Sequence, residues 1–103
     1  MERGDVDRAI SDYDASIRVK PHARSYYLRS QAWLKKNDPI AALRDADEAL
    51  ALDPKSSLAH LHRASVMREL KRTDDAIADY RKALSLDPSD EQRTQILAGL
   101  RDL

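Results

Sequence analysis

Apolar residues recur at intervals of three and four along most of this chain, which is the period of an amphipathic helix. The clearest run is Ala76, Ile77, Tyr80, Ala83 and Leu84. Prolines and polar capping residues interrupt the pattern and set the helix ends. The pattern predicts six helices, at about 6–19, 24–36, 39–52, 57–70, from 73 to just before Pro88, and from about 91 to 103.

The residues ahead of these helices predict how several of them begin. Asp38 can cap the third helix, with Pro39 at its first position, and Ser56 or Ser57 can cap the fourth. Thr73 is expected to cap the fifth helix. Ser89 and Gln92 have the spacing of a capping box, which predicts the start of the last helix.

Three prolines divide the chain into similar stretches. Pro54 and Pro88 lie 34 residues apart, and Pro21 lies 33 residues before Pro54. Each stretch contains an alanine followed three residues later by an aspartate, at Asp12, Asp45 and Asp79. A period of about 34 residues predicts stacked helical hairpins. Each hairpin buries its apolar side against its neighbours, so the hairpins stack into a solenoid. A solenoid presents an extended binding surface.

The residues that recur at fixed places in each stretch resemble the tetratricopeptide repeat family. They are Ser30, Trp33, Ala42, Ala49 and Pro54 in one unit, Ala64, Met67, Ala76, Tyr80, Ala83 and Pro88 in the next, and Gly4, Ala9, Tyr13 and Pro21 in a preceding half unit. The resemblance implies an all-α fold, a right-handed α-solenoid of antiparallel helix hairpins. It divides a single domain, 1–103, into the second helix of an incomplete repeat (4–22), two repeats (23–56 and 57–90) and a capping helix (91–103).

Some residues depart from the family pattern. Ala46 replaces the usual aromatic residue, which leaves space for Trp33 or a tyrosine to fill. Arg29 and Arg63 replace leucine ahead of the small residues of their helices.

In the last helix, Ile96, Leu97, Leu100 and Leu103 are expected to face inward.

Charge and composition narrow the range of partners. Lys plus Arg and Asp plus Glu are both 18, so the basic excess typical of a nucleic-acid or anionic-membrane partner is missing. No apolar run approaches the roughly 20 residues that span a bilayer. The N-terminus lacks an apolar signal core. With no cysteine, disulfides and thiolate metal sites are excluded. We expect a soluble, cytoplasmic protein with a protein or peptide partner, no nucleic acid and no membrane.

The residue types that carry chemistry do not form a catalytic or metal-binding set. His60 and His62 are two positions apart on a helix, so they point in different directions and cannot chelate one metal together. Carboxylates recur in every repeat, and the repeat itself explains them better than a single active site does. We therefore predict no enzyme activity, no metal site and no cofactor.

In the family, the first helix of each hairpin lines a concave groove that takes an extended or helical peptide. Carried over to this chain, the groove residues are Arg24, Tyr27, Leu28, Gln31, Lys35, Leu58, Leu61, His62, Ser65 and Arg68, with Leu34, Glu69, Gln95, Ile96 and Gly99 beside them. Tyr27 and Arg68 are residue types that often anchor an interface. An open alternative is that Leu28 and Leu61 pack between repeats instead. The Lys, Asn and Arg set with which chaperone-binding relatives clamp a terminal carboxylate is not intact here, which predicts that chaperone C-terminal peptides do not bind.

A second hypothesis concerns the first helix, which has no preceding hairpin partner in the repeat register. Its apolar stripe, Ala9, Ile10, Tyr13 and Ile17, would then be uncovered. An uncovered stripe of this kind predicts self-association into a homodimer, or docking on another domain. The alternative is that the chain is a fragment of a longer repeat protein.

Overall fold

The computed structural model describes residues 3–103, which form six α-helices and no strand. The helices are α1 (Arg3–Val19), α2 (Ala23–Lys35), α3 (Pro39–Leu52), α4 (Ser57–Glu69), α5 (Thr73–Ser85) and α6 (Asp90–Arg101). The predicted all-α helical repeat is confirmed. The helix bounds differ from the predicted ones by one to three residues at most ends.

The helix starts follow the predicted capping chemistry in three of four cases. Asp38 accepts the Ala41 N–H at 3.1 Å, and the Ser56 hydroxyl accepts the Ala59 N–H at 3.0 Å. Ser89 forms the predicted capping box. The prediction for Thr73 is wrong, because α5 already begins at Thr73, after an N-cap residue whose side chain makes no capping bond.

The turns inside the two hairpins share one geometry. Asn37 and Lys71 adopt left-handed backbone conformations, with φ of 62° and 61°. The next residue in each turn donates its N–H back into the preceding helix, Asp38 to the Trp33 carbonyl and Arg72 to the Met67 carbonyl, both at 2.9 Å. This is the Schellman ending of a helix, and it sets the angle at which α3 and α5 return along α2 and α4.

The helices form two layers of unequal tightness. One layer contains α2, α4 and α6, and successive helices in it contact each other. The other layer contains α1, α3 and α5, which contact the first layer but not one another. Because the first layer is the more tightly packed, the stack curves towards it, and its outer surface is the concave face.

Small residues allow this close packing. Ala42, Ala46, Ala76 and Ala83 are fully buried. Trp33 packs against Ala42, Ala46 and Val66, so it fills the space beside Ala46 as predicted. In α6, Ile96 is fully buried and Leu100 packs on the same core. The inward placement of Leu97 and Leu103 is wrong, since Leu97 is 51% exposed and Leu103 is also exposed: no described helix covers that side of α6.

Candidate functional site

A repeated arginine clamp fixes the positions of the helices that line the concave face. The Arg29 guanidinium in α2 makes two parallel bonds to Asp45 of α3, at 2.7 Å from Nε and 2.6 Å from Nη2. Its remaining nitrogen, Nη1, reaches Asp14 of α1 at 2.7 Å. These bonds, the one to Asp45 above all, raise the pKa of Arg29 against the opposing effect of burial. Arg29 therefore joins helices on both sides of α2.

The same clamp recurs one repeat later. Arg63 in α4 bonds Asp79 of α5 twice, both at 2.8 Å, and Asp47 of α3 once at 3.1 Å. Hydrogen bonding to Asp79 is the main cause that raises the pKa of Arg63. Asp45 and Asp79 are buried, as ionised carboxylates can be when they are paired in bidentate geometry. The recurrence of aspartate at Asp45 and Asp79 thus has a structural origin, in agreement with the prediction that the repeat explains it.

The larger cavity of the concave face, about 310 Å³, lies between α2, α4 and α6. It brings together Gln31, Leu61, His62, Ser65 and Arg68, all of them predicted groove residues. The other lining residues are Tyr80, Gln95, Ala98, Gly99 and Asp102. The predicted neighbours Gln95 and Gly99 therefore lie here, whereas Ile96 is buried beneath the surface.

A smaller cavity of about 110 Å³ continues the concave face towards α1. It is lined by Ala9, Tyr13, Leu28, Gln31, Ala32 and Lys35. Gln31 belongs to both cavities, so its side chain stands where they meet. The Gln31 Nε2 atom is buried and has no hydrogen-bond partner among the described residues. A buried amide donor of this kind favours a ligand that brings an acceptor oxygen.

Tyr27 supports the groove from below. Its ring stacks on His62, with ring centroids 4.7 Å apart and an angle of 14° between the planes. Ala49, Leu50 and Ala59 pack around it, so Tyr27 is only 8% exposed. The prediction that the groove exposes Tyr27 is therefore wrong. Burial lowers the pKa of His62 to about 4, so this ring is neutral at physiological pH.

Arg68 provides a positive charge at the α6 side of the larger cavity. Its Nη1 donates to the Tyr80 hydroxyl at 3.4 Å, which is the main cause that raises its pKa. Ser65 donates to the Leu61 carbonyl at 3.3 Å, which leaves its oxygen free to accept. Among residues 3–103, neither Arg68 nor Lys35 forms an ion pair. Both are available to a carboxylate of a partner.

The remaining predicted groove residues divide between packing and other surfaces. Leu61 is buried in the core around Tyr80, and Leu58 packs against two core clusters, so both serve mainly between repeats. Leu28 is half-buried and still lines the smaller cavity. Arg24 lines a different cavity, of about 590 Å³, near Pro21 and Asp53.

The residues of the predicted self-association stripe on α1 do not form one exposed surface. Ile10 is 7% exposed because Val6 and Ala32 cover it, so the expectation that it is uncovered is wrong. Ala9 and Tyr13 are half-buried and belong to the smaller cavity, and Ile17 is half-buried.

The histidines and carboxylates form no metal site in the part of the chain that the structure describes. His60 is buried between Asp79 Oδ1, at 3.4 Å, and the Pro54 carbonyl, at 3.1 Å, which gives it a structural role. No helix within residues 3–103 is both long and apolar enough to cross a membrane.

Sequence reasoning missed several residues of the concave face. Tyr80 was assigned to the core, and its hydroxyl nevertheless reaches the larger cavity. Ala9 and Tyr13 were assigned to a separate surface. The signal that could have found them is the register itself, because Tyr13 and Tyr80 occupy equivalent positions on α1 and α5.

Comparison with known proteins agrees with this architecture. The family model described as "Tetratricopeptide repeat" matches residues 1–57 and 34–91. The chain belongs to the tetratricopeptide repeat family. Domains of this family mediate protein–protein interactions, which confirms the predicted function class.

The curated relatives are much longer proteins. Sperm-associated antigen 1 of Mus musculus is 34% identical over 101 residues, which cover 97% of this chain and 11% of the relative. Serine/threonine-protein phosphatase T of Trypanosoma brucei brucei is 34% identical over 80 residues, 78% of this chain and 17% of the relative. The Hsp70-Hsp90 organizing protein of Triticum aestivum is 29% identical over 94 residues, 90% of this chain and 16% of the relative. The chain thus corresponds to one repeat region within each of them.

Two solved structures have the same fold. The second tetratricopeptide domain of human RPAP3, solved in complex with the HSP70 peptide SGPTIEEVD, superimposes with a TM-score of 0.83 at 27% identity, over 96% of this chain and 81% of that one. The Arabidopsis OM64 tetratricopeptide domain gives a TM-score of 0.82 at 28% identity, over 96% of this chain and 83% of that one.

Proposed function

We propose that this tetratricopeptide domain binds an internal peptide segment of a partner protein along its concave face. The observation that carries the proposal is the meeting of two cavities at Gln31, whose buried amide nitrogen has no hydrogen-bond partner among the described residues. A main-chain carbonyl of a peptide crossing this point would accept that bond. Satisfying a buried donor is worth about 1–3 kcal/mol, so one such contact gives the groove a defined register.

The charges and apolar surfaces of the groove define the kind of segment. Lys35 stands in the smaller cavity and Arg68 in the larger one, and both are free to pair with carboxylates. Leu28 adds apolar surface in the smaller cavity, worth about 25 cal/mol per Å² removed from water. We therefore infer a segment that places an acidic and an apolar residue over the smaller cavity and a second acidic residue over the larger one.

An internal segment fits this groove better than a chain terminus. The human neighbour was solved with an HSP70 peptide, yet the residues of this chain that replace the expected carboxylate clamp are Tyr27, Leu28, Gln31 and Leu58. Of these, Tyr27 is buried and the two leucines are apolar, so they provide no cation for a terminal carboxylate.

The experiment is a peptide-display selection against the wild-type chain, counter-selected with the double variant Gln31→Leu/Arg68→Gln. Gln31→Leu nearly keeps the side-chain size and removes the amide donor, whereas Arg68→Gln shortens the side chain and removes its charge. The matched control is Arg44→Gln/Arg81→Gln, at exposed positions of α3 and α5. Enriched acidic peptides that bind wild type and the control but not the groove variant support the proposal. Peptides that bind all three equally, or no enrichment, refute it.

We further infer that the domain acts by binding and not by catalysis. The most buried carboxylates, Asp45 and Asp79, are held in arginine clamps, in which both oxygens of each already accept bonds from a guanidinium. A cytoplasmic location also belongs to the proposal, and imaging of the tagged protein in its host would test it.

Association of two copies through α1 is the second candidate function. It is supported by the half-buried Ala9, Tyr13 and Ile17, on a helix that packs against α2 alone among the described helices. Light scattering tests it. A dimer mass that Ile17→Asp reduces to a monomer supports association, and a monomer at every concentration refutes it. Ile10 is unsuitable for this test because it is buried.

A further inference from the structure

The convex side of the stack, where α1, α3 and α5 lie, has a cavity of its own. Its volume is about 460 Å³, a size typical of ligand sites. It lies in the gap between α3 and α5, which do not contact each other, and α4 forms its floor. None of its lining residues lines a cavity of the concave face, so this convex cavity is separate from the proposed peptide groove.

The convex cavity combines apolar walls with cations. Leu50, Pro54 and Leu86 supply the apolar surface. Lys55 and Lys82 line the cavity from exposed positions. Among residues 3–103, neither lysine forms an ion pair. A ligand that brings carboxylates to this cavity would therefore meet two ammonium groups with free donors.

The acidic residues bonded to the cavity floor are already paired. Arg63, which lines the cavity, donates two bonds to Asp79 and one to Asp47. His60, also in the floor, faces the same Asp79 carboxylate. Among the described residues, no carboxylate lines the convex cavity itself. The positive charge of the two lysines is therefore not offset within the cavity.

The repeat by itself does not explain this lining. One repeat earlier, the position of Lys82 is held by Glu48, which has the opposite charge. The position of His60 is held by Tyr26, whose ring centroid lies 5.5 Å from the guanidinium carbon of Arg29. Histidine is smaller than tyrosine, which leaves room for the convex cavity. The combination of an apolar cavity and two free cations thus belongs to the gap between α3 and α5.

From this lining we infer that the convex cavity binds an acidic segment of a partner protein through one aliphatic side chain. The aliphatic side chain packs against Leu50 and Leu86, and carboxylates of the same segment pair with Lys55 and Lys82. A phosphodiester backbone fits less well, because it would leave the aliphatic walls uncovered. The inference concerns a second binding surface and does not depend on the concave groove.

The test is an NMR titration of the isotope-labelled chain with the capped peptide acetyl-Glu-Glu-Leu-Glu-Glu-amide. This probe has carboxylates on both sides of its leucine, so it suits either direction of binding. We expect saturable shifts of the backbone amides of Lys55, His60 and Lys82. The same peptide with Gln in place of every Glu should bind at least about fivefold more weakly, since it forms no ion pairs. Shifts at Ser65 and Gly99 would report binding in the concave groove separately, in the same spectra.

Two variants with the same change in net charge locate the binding site. Lys82→Glu introduces the residue that stands at this position one repeat earlier, and it should weaken binding at the convex cavity at least about fivefold. Arg81→Glu is the matched control, because Arg81 is exposed and is rotated by about 100° from Lys82 on α5. Its effect should stay below about twofold. Shifts confined to the concave groove, equal binding of the Gln peptide, or equal effects of the two variants overturn the inference.

Discussion

The arginine clamp gives a quantitative prediction for Asp45→Asn. Asp45 is 2% exposed, and both of its oxygens accept bonds from Arg29, at 2.6 and 2.7 Å. Two unit charges about 4 Å apart interact by about 4 kcal/mol at an effective dielectric constant of 20. Arg29 keeps Asp14 and is itself 19% exposed, so part of that energy survives the substitution. We expect Asp45→Asn to lower the free energy of unfolding by about 2–4 kcal/mol.

The assay is equilibrium unfolding in urea, with Asp12→Asn as the matched control. Asp12 is the same residue in the same register, but it is exposed, so its substitution should cost less than about 0.5 kcal/mol. The double variant Arg29→Leu/Asp45→Leu should recover most of the loss, because a buried ion pair is often replaceable by well-packed apolar residues. A cost below about 1 kcal/mol for Asp45→Asn, or an equal cost at Asp12, would refute the assignment of a buried clamp.

Three further predictions concern the groove and its support. The pKa of His62 is about 4 in the folded state and about 6.5 in the unfolded state. The unfolded state therefore binds the proton first, so the free energy of unfolding falls as the pH drops from 6.5 to 4, by at most about 3 kcal/mol. His62→Phe keeps the stacking on Tyr27 and should remove this contribution to the pH dependence of the free energy of unfolding, measured by urea titration. The same pH dependence in both chains would contradict the prediction. Gly99→Ala should lower the free energy of unfolding by about 1–3 kcal/mol, because the added Cβ would lie 2.7 Å from Cε1 of the buried Tyr80 ring. The control is Gly4→Ala, whose Cβ meets nothing within 4 Å, so it should be neutral or stabilising. Calorimetry with the peptide SGPTIEEVD should show no binding, with human RPAP3 as the positive control, and measurable heat from this chain would disprove it.

Several of these features were within reach of the sequence. The hairpin period, the caps at Asp38, Ser56 and Ser89, and the position of Trp33 beside Ala46 follow from local rules and from spacing. The recurrence of Arg29 and Arg63 at a distance of 34 residues was visible as well. Its pairing with the recurrent aspartates was not, because spacing alone does not say which of two helices an arginine will face.

Periodicity, capping and proline act over a few residues, so the helices, their order and the register of the repeat follow from the sequence alone. Which side chains reach the concave surface depends instead on how the helices pack against one another. Tyr27 and His62 were both predicted groove residues, yet the two rings pack against each other, Tyr27 is buried in a core cluster, and burial keeps His62 neutral. Gln31 lines two cavities and Ile10 is covered because of contacts between different helices. Burial depends on what packs opposite a residue, and that neighbour is set by the curvature of the whole stack.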